Sequence, residues 1–210
     1  MRAKETPRLT VKICGVRDAA SARAAAEAGA DAVGFVFAPS PRRVAPAEAR
    51  RIAGDLHGEV ERVAVFRLAG PDEIARALDE FPADRIQVEA TPALLRAPFA
   101  DRLLPVVHDD GTLEAQLAVL APDRPVLLEA AGHGGRGRRP DWTRAAGLAA
   151  RRPLLLAGGL DPDNLGAALR LVRPAGVDVS SGVEDAPGIK SAGRIAAFVA
   201  AARDFNPEDA

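Results

Sequence analysis

Tyrosine is absent from this 210-residue chain, and tryptophan, methionine and cysteine occur once each. A lone cysteine cannot close an internal disulfide, which fits a reducing compartment. Aromatics make up 4% of the residues, too few for the base-stacking platforms of single-strand nucleic-acid binders. An excess of either charge is also missing: 28 Lys and Arg face 29 Asp and Glu, a net charge of -1. A general nucleic-acid binder carries a basic excess. Long hydrophobic runs are missing too. The opening "MRAKETPRLT" lacks an apolar signal core, and runs such as "PLLLA" are far too short to cross a bilayer. The expectation is a soluble cytoplasmic protein with no nucleic-acid partner and no membrane partner.

What the chain does contain is alternation. Eight short apolar runs cover residues 10–14, 32–37, 62–66, 85–89, 103–107, 125–130, 153–157 and 176–180. They are rich in Val, Leu and Ile without strict polar alternation, which suits strands buried on both faces of a parallel sheet. Helical patterns lie between them, at 18–30, 45–54, 70–81, 141–150, 161–172 and 191–203. Asp18, Pro46 and Pro71 stand where helix starts want them. Helices after the fourth and fifth runs are less distinct. The length suits one sizeable core. The prediction is α/β class: a single (β/α)8 TIM barrel domain over residues 1–210, with 204–210 fraying as a tail. A doubly wound open sheet is the competing arrangement, because it uses the same alternation.

In such a barrel the active site lies at the carboxyl ends of the strands. Cys14 closes the first run, so it is either a small buried hydrophobe or a thiol at that mouth. The seventh run ends in Gly158 and Gly159, and the eighth in Ser180, Ser181 and Gly182. Small residues admit an anion to backbone N–H groups, and serine hydroxyls add donors. One Gly-Gly pair is also an ordinary helix-entry turn. Two such loops in succession predict a phosphate site for a small phosphorylated substrate. Residues 154–189 hold no lysine, so that site is expected to work through amides and hydroxyls.

The segments "VKICG", "AGADAVGFVFAPSPRRV", "GGRGRRPDW", "LAGGLDPDN" and "GVDVSSGVEDAPGIK" resemble the phosphoribosylanthranilate isomerase family of tryptophan biosynthesis. The likeness runs through nearly the whole chain, strongest over 11–52 and 134–190 and weakest over 60–124. It implies a (β/α)8 barrel, monomeric or homodimeric, that needs neither metal nor organic cofactor. The implied reaction is an Amadori rearrangement of N-(5-phosphoribosyl)anthranilate to 1-(o-carboxyphenylamino)-1-deoxyribulose 5-phosphate. A general acid protonates the ribose ring oxygen, and a general base takes the C2 proton. The resemblance makes Cys14 the base, with a pKa lowered to suit, and Gly158, Gly159, Ser180, Ser181 and Gly182 the phosphate cradle. It sets Arg42 near the anthranilate carboxylate and leaves Arg43 as a surface charge. Gln87 matches a substrate-side position. Asp178 either orients the ligand or pairs with Lys12.

Four positions depart from the family, Arg67 among them. Glu129, in "VLLEA", stands where the family carries the acid aspartate. Glu89 and Ala90, in "QVEA", replace histidine and glycine. Arg67 ends the third run, and an ion pair with Glu89 is expected because an unpaired charge in a closed mouth is costly. These departures keep two other readings open: a divergent isomerase of another aminated sugar phosphate, and a non-catalytic phosphate-ligand binder. In "HGGRGRRPDW", His133 has no partner at metal-ligand spacing. The loop is expected to act as a lid, with Arg136, Arg138 and Arg139 as solvated charges.

Overall fold

The computed structural model describes residues 8–54, 56, 60–132 and 138–206. Eight parallel strands close on themselves: β1 (Thr10–Cys14), β2 (Ala32–Val36), β3 (Glu61–Val65), β4 (Arg85–Glu89), β5 (Leu103–Asp109), β6 (Val126–Ala130), β7 (Leu154–Leu156) and β8 (Gly176–Val179). β8 pairs back onto β1, with Lys12 opposite Asp178. Closure rules out the open doubly wound sheet. The apolar runs fit strands covered on both faces, and the β1–β8 pairing leaves the sheet without a free edge.

Period-two alternation sorts the strand side chains. On β1, Val11 and Ile13 face outward into the main core against the helices. Cys14 faces inward with Ala32, Val36, Val63 and Val65. A second inner cluster holds Leu104, Val106, Leu127 and Ala157. The two inner clusters are separate, and buried Lys12, Gln87 and Asp178 occupy the same inward face.

Among the described residues, seven α-helices cover the barrel: α1 (Ala19–Glu27), α2 (Pro46–Ala53), α3 (Pro71–Glu80), α4 (Leu113–Ala118), α5 (Trp142–Ala149), α6 (Leu165–Val172) and α7 (Ala192–Arg203). Asp18 caps α1 by accepting from the Ser21 N–H at 2.7 Å, as the sequence predicts. The indistinct helices have physical causes. After β4 the chain makes two 3-10 turns, Leu94–Arg96 and Ala100–Arg102. Pro92 and Pro98 flank the first of them and prevent a longer helix. α4 is only six residues long. After β8 a short hairpin of β9 (Glu184–Ala186) and β10 (Ile189–Lys190) reverses at Gly188, an element the sequence reading did not contain.

Candidate active site

The carboxyl ends of the strands surround a cavity of about 860 Å³. Strand alternation explains its wall, because the inward positions of successive strands recur there: Cys14 on β1, Val36 on β2, Val65 on β3, Gln87 and Glu89 on β4, Val106 and His108 on β5, Glu129 on β6, and Asp178 and Ser180 from β8.

At the floor, Lys12 Nζ donates to Gln87 Oε1 at 2.8 Å and to Asp178 Oδ1 at 2.5 Å. Burial disfavours the charge on Lys12, yet the Asp178 carboxylate beside it holds its pKa above the ordinary lysine value. Gln87 and Asp178 are thus both engaged with Lys12, and the structural alternative for Asp178 is realised. The Lys12 ammonium also meets the Cys14 thiol and favours its ionised form. Gly34 on β2 makes that meeting possible: a Cβ there would lie 3.0 Å from Cys14 Sγ and 3.1 Å from Lys12 Nζ.

Cys14 is 6% exposed. Burial pushes its thiol pKa up, Lys12 pulls it down, and Asp178 pushes it up again, so the net direction is upward. This corrects the expectation of a lowered value. The lysine is present, but its charge is answered by Asp178, and desolvation of the thiolate wins. Glu129 is likewise raised above the ordinary glutamate range, first by burial and then by Asp178, while His108 and Lys12 oppose the rise.

Arg42 is 8% exposed and lines the cavity from the loop after β2. Its Nε and Nη2 donate to Glu184 Oε1 and Oε2 at 2.7 and 2.8 Å. One edge of the guanidinium is therefore filled by Glu184 before any ligand arrives. Lys190 Nζ donates to the same Glu184 at 2.8 Å and to the Ser180 carbonyl at 2.9 Å. It also lies 3.3 Å from Ser180 Oγ. Lysine thus stands against the strand-8 loop after all, one residue beyond the lysine-free span of the sequence.

Ser180 and Ser181 line the cavity, Ser181 opening the 3-10 turn Ser181–Val183. Gly158 and Gly159 follow β7 with φ of 90° and 63°. Gly182 packs on the same loop, since a Cβ there would run into the Leu160 carbonyl oxygen. The loops after β7 and β8 therefore meet. Arg67 and Glu89 both line the mouth, their strand ends joined by the Glu89 N–H donating to the Arg67 carbonyl at 3.2 Å. Glu89 Oε1 also has His108 Nε2 at 3.3 Å. Ala90 follows Glu89 and is half-buried. Arg43 is exposed. His133 and Arg136 lie outside the described residues. Arg139 sits 5.5 Å above the Trp142 ring, and the Arg138 carbonyl lies against Gly158.

The family model described as N-(5'-phosphoribosyl)anthranilate isomerase matches residues 11–201. The chain belongs to the phosphoribosylanthranilate isomerase family. The family relative from Paracoccus denitrificans is 41% identical, covering 92% of this chain and 97% of the relative. One from a Roseiflexus species is 42% identical, covering 93% and 98%. The crystal structure of phosphoribosylanthranilate isomerase from Thermotoga maritima superposes with a TM-score of 0.83 at 36% identity, covering 94% of this chain and all of that one. A family structure in complex with reduced 1-(o-carboxyphenylamino)-1-deoxyribulose 5-phosphate superposes with a TM-score of 0.81 at 35% identity and the same coverage.

Sequence reasoning missed His108, Glu184 and Lys190. The last two stand in the quoted "GVEDAPGIK", and their signal was two oppositely charged residues flanking a Pro-Gly turn. His108 carried no motif, and only its place near the end of the fifth apolar run marked it.

Proposed function

We propose that this chain isomerises N-(5'-phosphoribosyl)anthranilate to the 1-deoxyribulose product, with Glu129 as general acid and Cys14 as general base. The observation that carries the reading is that both groups line one cavity whose strand-8 rim supplies Ser180 and Ser181. The raised pKa of Glu129 suits its task, because a carboxyl that keeps its proton nearer neutrality can deliver it to the ribose ring oxygen. Protonation breaks the bond between C1 and the ring oxygen and leaves an iminium at the anthranilate nitrogen. Cys14 then removes the C2 proton, and the electron pair flows into the C1–C2 bond to give the enolamine, which becomes the ketone. The resting thiol is protonated, so the thiolate must form in the occupied site. The iminium favours it there, since a positive charge in a closed cavity pulls a thiol pKa down.

The phosphate is assigned to Gly158, Gly159, Ser180, Ser181 and Gly182. Lys190 supplies positive charge through Ser180. Arg42 keeps its remaining guanidinium edge for the anthranilate carboxylate, with Glu184 fixing its plane. No helix of the described residues is long and apolar enough to cross a membrane, and the reading carries a cytoplasmic location with it.

Steady-state kinetics with the anthranilate substrate test this. Cys14→Ala and Glu129→Gln should each lower kcat by roughly 100- to 10,000-fold, the usual contribution of a positioned acid or base. Binding of a product analogue should be largely kept. Unchanged turnover in both variants would sink the mechanism. Glu129→Asp separates adaptation from drift: a pocket built around glutamate loses rate when the side chain shortens, and a drifted one gains.

A further inference from the structure

Glu129 works in the company of two other carboxylates, Asp178 and Glu89, both of which disfavour its ionised form. After giving up a proton it must be a carboxylate among carboxylates. The structure places a ring between two of them. His108 stands opposite Glu129 in the β5–β6 register, and Glu89 stands opposite Val106 on the other side of β5. Positions 89, 108 and 129 therefore follow one another around the mouth on three adjacent strands, all lining the cavity.

The His108 backbone is pinned from outside. Its N–H donates to Gln116 Oε1 at 2.9 Å, and its carbonyl accepts from Gln116 Nε2 at 3.4 Å. The ring points Nε2 at Glu89 Oε1, 3.3 Å away. Its Nδ1 is buried with no hydrogen-bond partner among the described residues. A histidine kept only for packing would satisfy both nitrogens, because a buried unpaired one is costly. The charged groups facing this ring are Glu89 from β4, Glu129 from β6 and Asp110 from the loop after β5. Asp178 and Lys12 face Glu129 from β8 and β1.

We propose that His108, anchored by Glu89, is a positioning residue whose ring charge balances the Glu129 carboxyl across the cavity mouth. The inference rests on the reading of Glu129 as the general acid. The imidazolium makes the carboxylate left after proton donation tolerable, and Glu89 keeps that positive charge from overwhelming the acid form. Glu89 and His108 form one unit in which the carboxylate holds the ring at the right edge of the site.

Carbon-13 NMR of protein labelled at glutamate carboxyls reads Glu129 directly, its signal assigned by its loss in Glu129→Gln. In His108→Asn and His108→Gln the Glu129 titration midpoint should move upward by about one pH unit, the effect of losing a nearby opposite charge. The limb of the pH–rate profile that tracks Glu129 should move with it. An unmoved Glu129 midpoint in both variants overturns the proposal. The titration does not depend on turnover. If Glu129→Gln stays active, the assignment of Glu129 as the acid falls while the titration still decides whether His108 balances its charge.

Discussion

Glu129 is a buried acid whose environment disfavours its charge, and that has a consequence for the fold as well as the reaction. Its folded pKa is raised by burial and by Asp178, so between its unfolded and folded values the native state binds more protons than the unfolded one. Stability must fall as pH rises through that window and stay lowered above it. Glu129→Gln removes the penalty. The variant should be more resistant to urea than the parent at neutral pH, with the difference shrinking toward acid as the parent's carboxyl takes up its proton. Unfolding curves at several pH values would check this, and an equal difference at all pH values would refute it. Activity and stability pull in opposite directions at this position, which is common where a functional group sits in an unfavourable environment. Glu184 has the opposite sign. Burial works against its charge, but the hydrogen bonds from Arg42 and Lys190 hold its pKa below the ordinary carboxylate range. Its contribution is present above the unfolded value and is lost as pH falls through the folded one.

The elements proposed to cradle the phosphate depend on close backbone approach. Gly182 opens no space of its own; it lets the turn after β8 lie against the Leu160 carbonyl of the loop after β7. Gly182→Ala must push those two loops apart. A displacement of about 1 Å in a site of this kind costs on the order of 100-fold, so kcat/KM should fall by that order. KM should carry much of the loss, and the melting temperature should fall as well, since Leu160 and Val183 of these loops belong to the main core. A variant with parental KM would show that the two loops do not share the phosphate. This element also marks how far the sequence could be read. All eight strands were legible, because each is an apolar run bounded by turn residues, and their ends mostly fall within a residue or two of the runs. Cys14 and the serine–glycine loops were legible because each sits at or just past a strand end, whereas Gln87, Glu129 and Asp178 were legible only through the resemblance to the family. The Arg42–Glu184 pair was not, as its members are 142 positions apart and meet only when the barrel closes. The β9–β10 hairpin escaped because strands of three and two residues carry too little pattern. The rise in the Cys14 pKa escaped because it is a balance of burial against Lys12 and Asp178, and burial is a property of the closed barrel.

Across the whole molecule, the same closure that makes the cavity must join the two ends of the chain. β1 and β8 pair directly, and α7, the last helix, returns over the first strand. Arg203 near its end ties the seam. Its Nη1 donates to the Leu9 carbonyl at 2.5 Å, and its Nη2 donates to the Gly29 carbonyl at 2.7 Å and Asp31 Oδ2 at 2.6 Å. Asp31 Oδ2 in turn accepts from the Val11 N–H at 2.6 Å. One guanidinium thus gathers the start of β1, the turn after α1 and the end of α7, on the side of the barrel away from Cys14. Hydrogen bonds to charged groups contribute about 1.5–3 kcal/mol each when well buried. The side chains of Arg203 and Asp31 are 23% and 29% exposed, so the ion pair between them is partly screened. Arg203→Ala should therefore destabilise the fold by about 2–3 kcal/mol in total, a shift in melting temperature of roughly 4–12 °C for a domain of this size. The kcat and KM of the folded protein at 25 °C should stay near the parental values, because no part of the clamp reaches the cavity. Calorimetry and kinetics on one preparation separate the two effects. A variant that melts like the parent would mean the β1–β8 ladder closes the barrel unaided, and a variant that keeps its melting temperature but loses turnover would mean the seam is coupled to the mouth.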